Sequence, residues 1–195
     1  MSNSAFISVA VVSHSVTGTT ECLAQSVAQG VNSIDGAQAI NMRIENDQLV
    51  TGRFPNGEQM QQITACDAIV FGTPTFMGGP TAQFKAFADA SSDQWEDQLW
   101  ANKLAAGFTI GSNYSGDQHA TIQYLTTLAG QHGMIWVGVD TPGGDTGVPN
   151  RLGSQGGVIA HSPDGKIHEQ DALLAQYLGS RVASLAGQFK RGGLA

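Results

Sequence analysis

Cysteine is nearly absent from this 195-residue sequence: Cys22 and Cys66 are the only two. They cannot form a disulfide framework, and neither lies in a CxxC or in a Cys/His cluster with metal-ligand spacing. Both are expected as buried free thiols in a reducing cytoplasm. Positive charge is also scarce, with nine Lys and Arg against sixteen Asp and Glu and a formal net charge of −7. A nucleic-acid partner would require a clustered basic face, and nine scattered residues do not make one. Long hydrophobic runs are missing too. The N-terminal run, residues 5–12, is too short to span a bilayer and lacks the basic flank and cleavage site of a secretory signal. It reads as a strand in a soluble, cytoplasmic protein with no membrane partner. What the chain does have is 41% hydrophobic residues and only 13% charged ones, enough for one sizeable core and so for a single domain over residues 1–195.

Glycine is plentiful, at 25 residues, and gathers between apolar runs. Four runs of strand length, at 6–12, 68–72, 104–110 and 134–139, are near-continuous rather than alternating, as strands covered on both faces should be. A weaker run at 37–42 supplies a fifth. Helical patterns fall between and after them, at 20–31, 58–65, 81–90, 117–132 and 169–189. Such alternation predicts an α/β fold of right-handed βαβ crossovers, a doubly wound parallel sheet with helices on both sides. Ligands in that architecture bind beyond the carboxyl ends of the strands. The loops after strands one, three and four are therefore the ones to search. The glycine-rich stretch 140–157, with two prolines, reads either as a cover over the same edge or as a plain surface excursion.

The first loop, from Ser13 through Thr20, is dominated by hydroxyls. Unpaired amides at a helix start, the helix dipole and Ser or Thr donors together make an anion site, and Gly18 supplies a close turn. There is no Lys of a Walker A loop and no GxGxxG for a dinucleotide pyrophosphate, so a terminal monophosphate is the anion that fits. The competing reading is that Ser15, Thr17 and Thr20 only cap the helix. His14 reads as a solvent-facing loop residue. His119, His161 and His168 share no metal-ligand spacing, and no metal is expected.

The run from Val11 to Ala24 resembles the flavodoxin phosphate-loop signature at its Ser, Gly, Thr and Ala positions, and departs from it at Ser13, where flavodoxins usually carry an aromatic residue. The resemblance implies flavin mononucleotide (FMN), with Ser15, Val16, Thr17, Gly18, Thr19 and Thr20 around its phosphate, and a flavodoxin-like three-layer sandwich with a five-stranded parallel sheet in the order 2-1-3-4-5. Phe71 to Pro80 is similar to the GTPT loop of the flavin-dependent quinone oxidoreductases typified by the tryptophan-repressor-binding protein family. That likeness implies that Pro74, Thr75, Phe76, Met77 and Gly78 wrap the flavin ring, although a basic residue usually stands where Phe76 does. By the same resemblance Ser112, Asn113, Tyr114, Ser115 and Gly116 meet the flavin's pyrimidine edge and ribityl chain, with Tyr114 able to stack on the ring. Asp117 reads as the cap of the next helix.

Two more residues are candidates: Trp95, placed much as the family places a tryptophan near the substrate face of the flavin, and His132, before Gly133 at a helix end, as a flavin contact. Each has a structural alternative, a half-buried surface tryptophan and a helix-terminal histidine. His132 lies on the order of 20 Å from the flavin loop along its helix and could reach a flavin only across a subunit interface, in a homodimer or homotetramer. The function implied is an oxidoreductase in which NADH or NADPH reduces FMN and the flavin reduces a quinone or similar small acceptor. The alternative is a flavodoxin-like electron carrier without its own substrate.

Overall fold

Apolar runs that must be hidden on both faces become the interior strands of a sheet, and the computed structural model describes that sheet through residues 6–114, 117–142 and 150–193. The elements are β1 (Ile7–His14), α1 (Thr19–Asn32), β2 (Ala37–Ile44), a 3-10 turn (Asn46–Gln48), α2 (Glu58–Ala65), β3 (Ala68–Pro74), α3 (Ala82–Ala90), α4 (Ser92–Glu96), β4 (Leu104–Gly111), α5 (Asp117–Gln131), β5 (Ile135–Trp136), β6 (Val158–His161) and α6 (Glu169–Arg191). All paired strands run parallel, in the order β2-β1-β3-β4-β5, with β6 also pairing β4.

The expected order holds, but its fifth position is shared by two short strands. Leu104 and Ala105 of β4 pair with Ile135 and Trp136, while Phe108 to Gly111 pair with Val158 to His161. The apolar run at 134–139 stops pairing early because the chain leaves the sheet there. Val137 N–H still reaches the Ala105 carbonyl at 2.7 Å, but Val139 N–H donates to Gln155, on the returning segment, at 2.9 Å.

Strand side chains alternate between faces, so Val9, Val11, Val70, Ala106 and Phe108 pack under α1 and α6, whereas Ala10, Val12, Ile69, Phe71 and Ala105 pack against the aromatic side formed by Phe84, Phe87 and Trp100. On the first side α1 and α6 approach through glycine. A Cβ on Gly30 would stand 1.8 Å from the Gln176 carbonyl oxygen, and one on Gly179 would stand 2.0 Å from that of Val27. No described helix is long and apolar enough to cross a membrane. Of the two thiols expected to be buried, only Cys66 is; Cys22 sits exposed on α1, where helical periodicity turns it outward.

Candidate active site

The carboxyl ends of β1, β3, β4 and β6 converge on a cleft of about 300 Å³ lined by Thr17, Thr19, Pro74, Thr75, Phe76, Ile110, Gly111, Ser112, Ser162 and Gly165. None of these side chains is ionisable. A larger cleft of about 500 Å³ lies elsewhere, where Arg53, Asp89 and Asp93 meet near the α3–α4 junction. Its lining is charged and offers only the start of the five-residue α4, so chemistry rather than size assigns the site.

The β1–α1 loop resolves the two readings of its hydroxyls. The N-cap of α1 is Gly18, at φ 91, and no side chain caps the helix. Ser15 Oγ instead accepts from Gly18 N–H at 3.0 Å, and the Thr17 and Thr19 hydroxyls face each other at 3.2 Å. The first intrahelical bond is Cys22 N–H to the Gly18 carbonyl, at 3.0 Å. The amides at the start of α1 thus have no side-chain partner, and they point where an anion would sit. Thr20 Oγ1 is fully buried beside them without a hydrogen-bond partner among the described residues. A buried orphan hydroxyl costs about 1–3 kcal/mol, which a phosphate oxygen would recover. Val16 is exposed at the loop's rim.

The β3–α3 loop is held from within. Thr109 Oγ1 donates to the Thr73 carbonyl at 2.7 Å, Thr75 Oγ1 lies 2.9 Å from Thr109 Oγ1, and Thr121 Oγ1 lies 2.8 Å from Thr75 Oγ1. Each hydroxyl has one proton, so donation runs from Thr121 through Thr75 and Thr109 to the carbonyl. With its hydroxyl engaged there, Thr75 offers a ligand chiefly its backbone. Beyond it Phe76 and Gly79 close a tight turn in which Met77 takes φ 47 and Gly78 φ 77. Phe76 and Met77 project into solvent at the edge of the cleft.

His14 is not solvent-facing as its loop position suggested. It is the last residue of β1 and buried, with Nδ1 2.8 Å from Thr81 Oγ1, the N-cap hydroxyl of α3. That hydroxyl also accepts from Phe84 N–H, so the ring links the first loop to the start of α3. Burial lowers the His14 pKa, with Asn46 and Glu45 opposing and Arg43 assisting.

The β4–α5 loop brings Ser112 into the cleft and leaves Asn113 and Tyr114 exposed beside it; Ser115 and Gly116 lie outside the described residues. Asp117 is the first residue of α5 itself. Sequence reasoning missed Ser162 and Gly165. They follow β6, whose signal is three apolar residues and His161 between a Gly-Gly pair and the turn sequence Ser-Pro-Asp-Gly. Ser162 Oγ is a second buried hydroxyl at the cleft without a partner.

Trp95 and His132 are not at this cleft. Both lie at the opposite, amino edge of the sheet, where they share a smaller pocket with Ser91, Ser92, Asp89, Leu128 and Gln131. The Trp100 and His132 rings are 4.3 Å apart, and Ser91 Oγ lies 2.9 Å from His132 Nε2. Ser91 gives its proton to the Ala88 carbonyl, so Nε2 carries the imidazole proton and Nδ1 is left as a buried acceptor without a partner. A second proton would be placed where nothing accepts it, and burial pushes the His132 pKa down to about 4.

The NADPH-dependent FMN reductase family matches residues 7–143. The chain is 32% identical to flavodoxin FldP of Pseudomonas aeruginosa, over 88% of this chain and 92% of that protein. It is 29% identical to an NAD(P)H dehydrogenase (quinone) of Geotalea uraniireducens, over 94% of this chain and 99% of that protein. Among solved structures, a WrbA-like flavodoxin from Agrobacterium tumefaciens superposes with a TM-score of 0.74 at 36% identity, covering 93% of this chain and 98% of that one.

Proposed function

The chain belongs to the NADPH-dependent FMN reductase family, and from that premise we propose that it carries electrons from NADH or NADPH, through bound FMN, to a quinone or similar small acceptor. The observation that carries this reading is the uncapped start of α1, with free amides and the orphaned Thr20 hydroxyl grouped around Gly18. Such a neutral cradle suits a monophosphate, held by amides and hydroxyls rather than by a cation.

Ser15, Val16, Thr17, Gly18, Thr19 and Thr20 would hold the phosphate end. The backbone of Pro74, Thr75, Phe76, Met77 and Gly78 would follow the ring, and Ser112, Asn113 and Tyr114 its pyrimidine edge, with Ser115 and Gly116 completing that loop. FMN supplies the chemistry when bound, taking a hydride from reduced nicotinamide and yielding two electrons to the acceptor. With no ionisable side chain among the described residues of the cleft, the chain's own work is to bind, orient and exclude water. Trp95 and His132 would join such a site only from a second copy, in a homodimer or homotetramer. A reducing cytoplasm fits the exposed free thiol of Cys22.

The test is an absorption titration of the purified protein with FMN, followed by anaerobic NADH or NADPH. Saturable binding with bleaching by either nicotinamide is the expected result. Binding without bleaching would leave an electron carrier, and no binding would overturn the flavin reading altogether.

A further inference from the structure

The loop that carries Ser112, Asn113 and Tyr114 is gripped from behind by two side chains. Gln118, buried in the first turn of α5, donates from Nε2 to the Asn113 carbonyl at 2.8 Å. His161, the last residue of β6, holds both neighbours of Asn113. Its Nε2 is 3.2 Å from the Ser112 carbonyl oxygen, and its ring stacks on Tyr114 with centroids 3.9 Å apart and planes 30° apart. A carbonyl only accepts, so Nε2 is protonated.

His161 is fixed in turn through its backbone. Its N–H donates to Asp171 Oδ2 at 3.0 Å, and its carbonyl accepts from Arg151 Nη2 at 3.4 Å. Arg151 and Asp171 are joined by a forked pair of hydrogen bonds, 2.7 Å from Nε and 2.6 Å from Nη2. The carboxylate of Asp171 is 2% exposed. His161 is 8% exposed and Tyr114 is 72% exposed, so the imidazole covers one side of a largely exposed tyrosine whose hydroxyl also interacts with Arg151. An exposed tyrosine would normally sample several rotamers, and ordering it would cost binding free energy.

We propose that His161 is a positioning residue of the flavin site. Its ring and its Nε2–H preset Ser112 and Tyr114, so that a planar aromatic ligand meets an already ordered loop. The inference rests on the flavin reading given above, and it uses residues that the phosphate loop does not touch.

The experiment measures FMN and riboflavin dissociation constants by fluorescence for the unaltered chain and for His161→Ala, His161→Phe and His161→Gln, with thermal unfolding of each ligand-free protein. His161→Ala is expected to weaken both ligands by about tenfold, equally, because the lost contact is to the ring and not to the phosphate. Phe restores the stack and Gln the donor, so each is expected to fall only about threefold below the unaltered chain. These two variants carry the test alone if Ala does not fold. Affinities within twofold of the unaltered chain in all variants that fold would overturn the proposal, as would losses that track unfolding temperature with no rescue by Phe or Gln. An unaltered chain that binds neither ligand overturns the flavin reading itself, and this inference with it.

Discussion

The two ends of the sheet are built on opposite principles. At the amino edge, Trp100 is fully buried against Phe71, Phe87 and His132, and its indole N–H is satisfied by Thr64 Oγ1 at 2.9 Å. At the carboxyl edge, small hydroxyl and glycine residues surround an open cleft where the hydroxyls of Ser162, in its lining, and Thr20, at the adjoining start of α1, have no partner among the described residues. One end is filled by packed aromatic side chains, with His132 Nδ1 its buried exception, and the other is an open cleft arranged for something the described residues do not provide. Stability is thus concentrated at the first end and recognition at the second. Trp95 and His132 belong to the first end of their own chain.

If that division is real, damage at one end should leave the other's property alone. Trp100→Ala tests it most severely, because it empties an aromatic cluster, and an unfolding free energy lower by about 3–5 kcal/mol is expected in denaturant titrations. FMN affinity of the folded variant should be unchanged, and a parallel collapse of affinity would break the comparison.

His132 gives the next largest effect. Its pKa of about 4 in the folded chain, against about 6.5 unfolded, means that the unfolded state binds the proton more readily. Stability from this group is therefore complete above pH 6.5 and is lost as pH falls through 6.5 toward 4, by about 3 kcal/mol in all. Denaturation curves at pH 7, 5.5 and 4.5 should show that loss, and His132→Gln should flatten it. The same slope in both proteins would assign the acid sensitivity elsewhere.

The smallest effect sharpens the contrast most. Thr20→Val removes a buried hydroxyl that has no partner among the described residues, so stability should rise, by about 1–3 kcal/mol. FMN binding should nevertheless weaken at least tenfold, since a hydrogen bond to a charged group is worth about 1.5–3 kcal/mol. A destabilised variant with normal affinity would make Thr20 an ordinary core residue.

How legible these features were depends on the length of the signal. Helix α2 was read from the sequence with the bounds it has, and α1 and α5 were read to within one residue at each end, because their patterns run two or more turns between clear breakers. Strand β6 was not found. Four residues inside a glycine-rich stretch carry too little period to separate them from a loop, and with β6 went Ser162, Gly165 and the support from His161. The short α4 was passed over for the same reason. His14 misled through its polarity: a buried histidine bonded through Nδ1 to a threonine 67 residues away looks, in sequence, like a loop residue. Asn150 and Arg151, within the stretch read either as a cover or as a surface excursion, are tied to the rest of the fold. Asn150 is buried and bonds the Thr141 and Ser154 carbonyls, and Arg151 pairs with Asp171. Those partners are remote in sequence, and local patterning could not supply them.

The divided outer position of the sheet has a consequence for how such a chain could diversify. Because β5 and β6 each pair independently with β4, the connection between them can change in length without shifting the register of either. Doubling a flexible connection costs only about 0.6 kcal/mol. A change of length between β5 and β6 would therefore leave β4 in register, and with it the cleft residues Ile110, Gly111 and Ser112 that β4 and its loop supply.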